Sequence, residues 1–193
     1  MAAETGHHPS RAYIDQSGDL HLNGGKFFND AEEDMAPGLE AVGGLTEADL
    51  EVLSGSVVNV TAATLSVTKA AHHHRMVTLN RAAGIAVTLP AATGSGTRYE
   101  FVIGTTITSN TTTIKVTGDD VMAGHCLQSP DTVDAANIFP TAADSDTITL
   151  NGSTTGGFKG DRIVLIDVAL DLWSVFVVEE ATGAEATPFS ATV

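Results

Sequence analysis

Histidines, one cysteine and several paired acids are the side chains of this sequence that could do chemistry. His72, His73 and His74 stand in a row, and histidine is the commonest protein ligand for zinc or nickel. Neighbouring residues of a strand point to opposite faces, so only His72 and His74 could converge on one ion. His125 is remote in sequence and His7-His8 lie near the N-terminus, so no second cluster completes a ligand set. The triplet reads as a solvent-exposed loop; three copies meeting on a symmetry axis are the alternative that would make an ion site. Asp119-Asp120, or Asp144 with Asp146, could hold calcium in a loop, but acids beside glycine usually cap turns. The spacing of an EF-hand loop is absent.

Nucleophilic and phosphate chemistry fare no better. His125 and Cys126 are adjacent, and adjacent side chains rarely face each other, so Cys126 reads as a small buried hydrophobe. Glycosidases need two carboxylates across a cleft normally lined by aromatics; this chain has one Trp, two Tyr and seven Phe. The clusters Gly94-Ser95-Gly96 and Gly152 to Gly157 superficially match phosphate loops. Gly156-Gly157-Phe158-Lys159-Gly160 lacks the Ser or Thr of a Walker motif and a helix to open. These glycines are expected at turns with positive φ. No catalytic residue and no cofactor is expected, and the chain does not read as an enzyme.

The bulk composition narrows the partners. The 193 residues carry 24 acidic against 9 basic side chains, a formal net charge of -15. Such a field repels phosphate backbones, so direct nucleic-acid binding is not expected. One cysteine excludes an intrachain disulfide framework and fits folding in a reducing compartment. Met1 to Thr5 has no basic region and no apolar stretch behind it, so no signal peptide is expected. No run reaches the roughly 20 apolar residues of a membrane helix, and no membrane partner is expected.

Two regions must position these residues. Residues 1–55 hold eleven acidic and two basic side chains, and glycines and prolines interrupt every apolar run. Ala12 to Ile14, Leu20 to Leu22 and Lys26 to Phe28 look extended, with Asn23-Gly24-Gly25 a plausible tight turn. Asp30 to Met35 and Thr46 to Leu53 suit helical turns, the second with Thr46 as cap. This is too little apolar material for a core, so residues 1–55 read as an acidic arm with local structure. From residue 56 to 193 the pattern becomes period two. Val77–Leu79, Ile85–Leu89, Tyr99–Ile103, Thr112–Val116, Asp146–Leu150, Asp161–Ile166 and Trp173–Val178 are short, rich in Val, Ile and Thr, and separated by turn residues. That pattern predicts an all-β fold, an antiparallel sandwich or barrel of jelly-roll-like type, carrying an extended N-terminal arm. Thr132 to Ala143 reads as a long loop with a helical turn. Val77 to Gly84 and Ile148 to Gly156 echo each other, each a strand leaving through an Asn-headed turn.

The segments VTLNRAAG (Val77–Gly84), VTLPAATGSG (Val87–Gly96), YEFVIG (Tyr99–Gly104), TTITSN (Thr105–Asn110) and DSDTITLNGSTTGG (Asp144–Gly157) together resemble small structural proteins of tailed bacteriophages. The likeness is to capsid decoration, or cement, proteins of marine phages and cyanophages. It runs from about Val57 to Ser190 and leaves the first 55 residues outside. TLPAATGSG before an aromatic strand is also similar to fibre-like and tail-associated phage proteins. The resemblance implies a homotrimer on the outer surface of the capsid, made in the host cytoplasm during assembly, with the major capsid protein as partner. Within that reading, Tyr13, Ile14, Phe27 and Phe28 are the arm anchors expected to contact neighbouring subunits, and Phe189 is a C-terminal one. A head-fibre, tail or tube component is the alternative, and a soluble module binding glycan or metal is a further one.

Overall fold

The computed structural model describes residues 56–132 and 135–192, and within the first 55 residues the backbone of 13–14 and 20–21. The chain separates into two compact units, Met1–Leu50 and Glu51–Val193. In the first, β1 (Tyr13–Ile14) pairs antiparallel with β2 (Leu20–His21), Tyr13 opposite His21 and Ile14 opposite Leu20. Two of the three extended pieces expected in the arm are therefore strands. The third, Lys26 to Phe28, its turn and both helical segments lie outside the described residues.

Among its described residues the second unit is all β apart from one four-residue helix. Its path begins with β3 (Val58–Val60), β4 (Thr64–Ser66), α1 (Lys69–His72), β5 (Met76–Leu79), β6 (Ala86–Thr88), β7 (Arg98–Ile103) and β8 (Thr112–Lys115). β3, β5 and β7 lie side by side and parallel in one sheet, and β4, β6 and β8 do so in another. The chain thus makes three circuits, each laying one strand on either sheet. β9 (Val121–Pro130), β10 (Asn137–Pro140), β11 (Thr147–Leu150), β12 (Arg162–Ala169), β13 (Leu172–Ala181) and β14 (Phe189–Ser190) complete the unit. The orders are β10-β9-β13-β12-β7-β5-β3 and β14-β11-β8-β6-β4.

The all-β, two-sheet expectation holds, but the sheets are mixed rather than purely antiparallel. β9 and β13 are also parallel, over ten register pairs. Parallel neighbours need a crossover connection, and here a strand of the opposite sheet serves, so no crossover helix is required. A strand with one buried face alternates in the same way whichever direction its neighbour runs. Direction was therefore hidden in the period-two pattern.

Alternation builds the core. Tyr99, Phe101 and Ile103 of β7 point inward while Arg98, Glu100 and Val102 do not. With Ile163, Leu165, Trp173, Val175 and Val177 they meet Val87, Ile114, Ile148 and Leu150 of the other sheet in one cluster. The segment read as a loop with a helical turn contains β10, an edge strand pairing with β9 from Asn137↔Gln128 to Pro140↔His125. The echo between Val77–Gly84 and Ile148–Gly156 is not a structural repeat: β5 pairs parallel in the seven-stranded sheet and β11 antiparallel in the five-stranded one.

Candidate functional site

The solvent side of the seven-stranded sheet carries an unusual load of apolar side chains. Register sets Leu127 between Ile138 and Val178, and His125 between Pro140 and Phe176. These positions alternate with the inward Cys126, Val175, Val177 and Glu179, so they share the outer face. Ile138 is 64% exposed, Phe176 51% and Val178 41%. Together they form an apolar ridge across β10, β9 and β13. Phe176 continues to Val164 and Val178 to Arg162 on β12. There the face turns polar: Glu100 accepts Arg162 at 2.5 Å and Arg98 at 2.9 Å. The Arg98–Glu100 pair, with His74, Arg75 and Met76, lines an open cleft of about 340 Å³. Large exposed apolar groups in one patch cost solubility and mark a contact surface.

No family model, curated protein or solved structure matches the chain.

The candidate ligands do not assemble. α1, capped by the Thr68 hydroxyl, ends at His72, so the histidine run does not have strand geometry. His72 is buried, at 7% exposure, with Nδ1 3.0 Å from the Thr68 amide and 3.1 Å from its carbonyl. Burial pushes its imidazole below the ordinary value. His74 is exposed at φ 56°, and its ring stacks on His73 with centroids 3.7 Å apart. The contact within the run is between His73 and His74 rather than between His72 and His74, and the expected solvent-exposed loop is only partly so, since His72 is buried. Asp119 is exposed and Asp120 is 3% exposed. Asp120 Oδ2 accepts the Ala92 amide at 2.7 Å and the Trp173 indole at 3.2 Å. Among the described residues no group of three or more His, Cys, Asp or Glu is placed to hold a metal.

Cys126 is fully buried while His125 faces solvent, so the two point apart. Burial, with Glu179 adding to it, raises the thiol far above its usual range. Phe189, expected as a partner anchor, is 6% exposed and belongs to the core cluster. β14 pairs with β11 there, which turns the ring inward. Tyr13 and Ile14 are placed in β1; Phe27 and Phe28 lie outside the described residues.

The glycine loops do cradle an anion, and the anion is the protein's own. Asp167 Oδ1 accepts the amides of Thr93 (2.9 Å) and Gly94 (2.6 Å). Its Oδ2 accepts the Ser95 amide at 3.0 Å, the Ser95 hydroxyl at 2.7 Å and the Thr93 hydroxyl at 3.1 Å. Gly94, at φ 74°, lets successive amides turn toward one point. Burial pushes the Asp167 carboxyl up, but these bonds outweigh it and hold it at about 2. Asp161 accepts the Gly157 and Phe158 amides of the second loop at 2.7 and 2.9 Å, but there burial outweighs the bonds and the carboxyl is raised. The sequence carries a signal for Asp167. It continues the inward phase Ile163, Leu165 of β12, where a carboxylate needs a built partner.

Proposed function

We propose that the protein is a structural virion component that binds and stabilises an assembled phage capsid as a decoration protein, clamping neighbouring major capsid protein subunits. The observation that carries this reading is the ridge of Ile138, Leu127, Phe176 and Val178. A sheet presenting Phe176, Ile138 and Val178 to solvent, with half-buried Leu127 among them, is suited to burying a protein partner. Aromatic side chains dominate such interfaces when they reach a fitted pocket. The resemblance in the Val87–Gly96 and Asp144–Gly157 segments supplies the capsid as that partner. The acidic arm adds Tyr13, Ile14, Phe27 and Phe28 as anchors on neighbouring subunits. Weak contacts repeated by symmetry then add up to a tight clamp.

Phe176→Asp combined with Val178→Asp should leave the fold intact, because both side chains are solvent-facing. The same double substitution should lower co-sedimentation with assembled shells at least tenfold, since it places two charges in a desolvated contact. Shell binding equal to that of the wild type would remove the ridge from the interface. Analytical ultracentrifugation should give a homotrimer, and a monomer at micromolar concentration would count against the threefold clamp.

A head-fibre, tail or tube component is the second reading. The three parallel circuits from β3 to β8 favour it, since repeated parallel circuits are how β solenoids build elongated bodies.

A further inference from the structure

Behind the ridge, on the inner side of the same two strands, sits an acid that the docking face does not use. Glu179 is 3% exposed and Gln128, its register partner, is fully buried. Gln128 Nε2 donates to Glu179 Oε1 at 2.7 Å. The same nitrogen is 3.2 Å from the Thr154 carbonyl and 3.3 Å from the Ala186 carbonyl. The pair therefore joins the seven-stranded sheet to the turn after β11 and to the segment leading into β14. Ala186 also donates its amide to Thr154 at 2.9 Å, and Thr182 to Ser153 at 3.0 Å.

Three buried oxygens in this knot have no hydrogen-bond partner: Glu179 Oε2, Gln128 Oε1 and Thr155 Oγ1. The Thr155–Gly156 turn lies directly on the carboxyl, so close that a Cβ on Gly156 would stand 2.3 Å from Oε2. The titratable groups facing Glu179 are the Cys126 thiol from β9 and the Asp161 carboxyl from the start of β12. The turn from Asn151 to Gly157 contains no charged residue. An ionised Glu179 would thus be buried with a second carboxyl acting on it and one of its oxygens without a hydrogen-bond partner. A proton on Oε2 removes the charge from that buried, unpartnered oxygen.

We infer that Glu179 is a proton-operated latch: neutral, it ties the C-terminal segment and the Asn151–Gly157 turn to the seven-stranded sheet, and ionised, it loosens that end of the unit. The direction of titration agrees. Burial pushes the carboxyl from 4.5 up to about 7, Asp161 adds to the rise, and the Gln128 and Cys126 hydrogen bonds oppose it. Because the folded value is raised, the stabilisation is complete below about 4.5 and is lost as pH rises through about 7.

Thermal unfolding of the full chain between pH 5 and pH 8, wild type against Glu179→Gln, reads the latch. The glutamine keeps the shape and cannot ionise. Wild type should lose roughly 10 °C of Tm across this window relative to the variant. His72 and His73 titrate in both proteins, so the difference between the two curves belongs to Glu179 and its coupling to Asp161. Hydrogen exchange in the wild type should show Thr182–Ala186 losing protection on the alkaline side. Parallel pH curves for the two proteins would overturn the proposal. If the variant does not fold, a carboxyl-carbon NMR titration of Glu179 in the wild type decides. A midpoint near 7 supports the latch and one near 4.5 overturns it.

Discussion

Replacing Asp167 with alanine should cost the fold about 3 kcal/mol, read as a shift in the urea midpoint at constant slope. The carboxylate is 2% exposed and accepts five hydrogen bonds from Thr93, Gly94 and Ser95. Its removal leaves three amides aimed at one point with no acceptor. Each orphaned buried donor costs about 1–3 kcal/mol, but Thr93, Gly94 and Ser95 are themselves exposed, so water recovers part of the loss. The same hydrogen bonds, read through the titration of the carboxyl, give a similar size. A carboxyl held at about 2 instead of 3.8 contributes about 2.5 kcal/mol. Because the folded value is depressed, that stabilisation is present above 3.8 and disappears as pH falls toward 2. The alanine variant should therefore lack this part of the acid-unfolding slope. Unchanged stability at pH 7 would mean that the Thr93–Gly96 loop does not depend on its carboxylate.

Trp173→Ala should be more damaging, by about 4 kcal/mol. The indole is 1% exposed and stands 5.7 Å from the Tyr99 ring, between centroids. It also donates to Asp120 Oδ2. Alanine leaves a large cavity and removes one of the two hydrogen bonds holding a buried carboxylate. Trp173→Phe separates these effects. It keeps most of the packing and should cost about 1–2 kcal/mol, the share of the lost hydrogen bond and the smaller ring. Denaturant melts of the two variants should rank in that order, and equal losses would assign the whole effect to the Asp120 contact.

Strand positions were legible where one face is purely apolar. Tyr99, Phe101 and Ile103 alternate with Arg98, Glu100 and Val102, and β7 follows that pattern. β9 was not legible, although it is ten residues long. Its inward side holds Met122, Cys126, Gln128 and Pro130, a set that does not read as a hydrophobic face. Gly124 interrupts it for a reason that exists only in three dimensions, since a Cβ there would lie 1.8 Å from the Val175 carbonyl oxygen. β10 sits in an Ala-rich stretch with a proline and has one ladder partner, so propensity pointed to a loop. The acids misled in the opposite way. Acids beside glycine are expected to cap turns, yet Asp120 accepts the distant Ala92 amide instead, and Asp167 and Glu179 have no glycine beside them. Both occupy the inward phase of strands, after Ile163 and Leu165 in one case and after Trp173, Val175 and Val177 in the other. Phe189, expected as an anchor near the C-terminus, is instead buried by the pairing of β14 with β11. The ridge needed registration across three strands, because Ile138, Leu127 and Val178 are far apart in sequence.

In the proposed decoration role the ridge seats on a capsid shell. Cryo-electron microscopy of virions containing this chain tests that role most directly. The account predicts density for the unit Glu51–Val193 on the outer surface of the head, three copies around a threefold position, with Phe176 and Ile138 against the major capsid protein. Density confined to the tail, or a head-bound copy with that face turned to solvent, would contradict it.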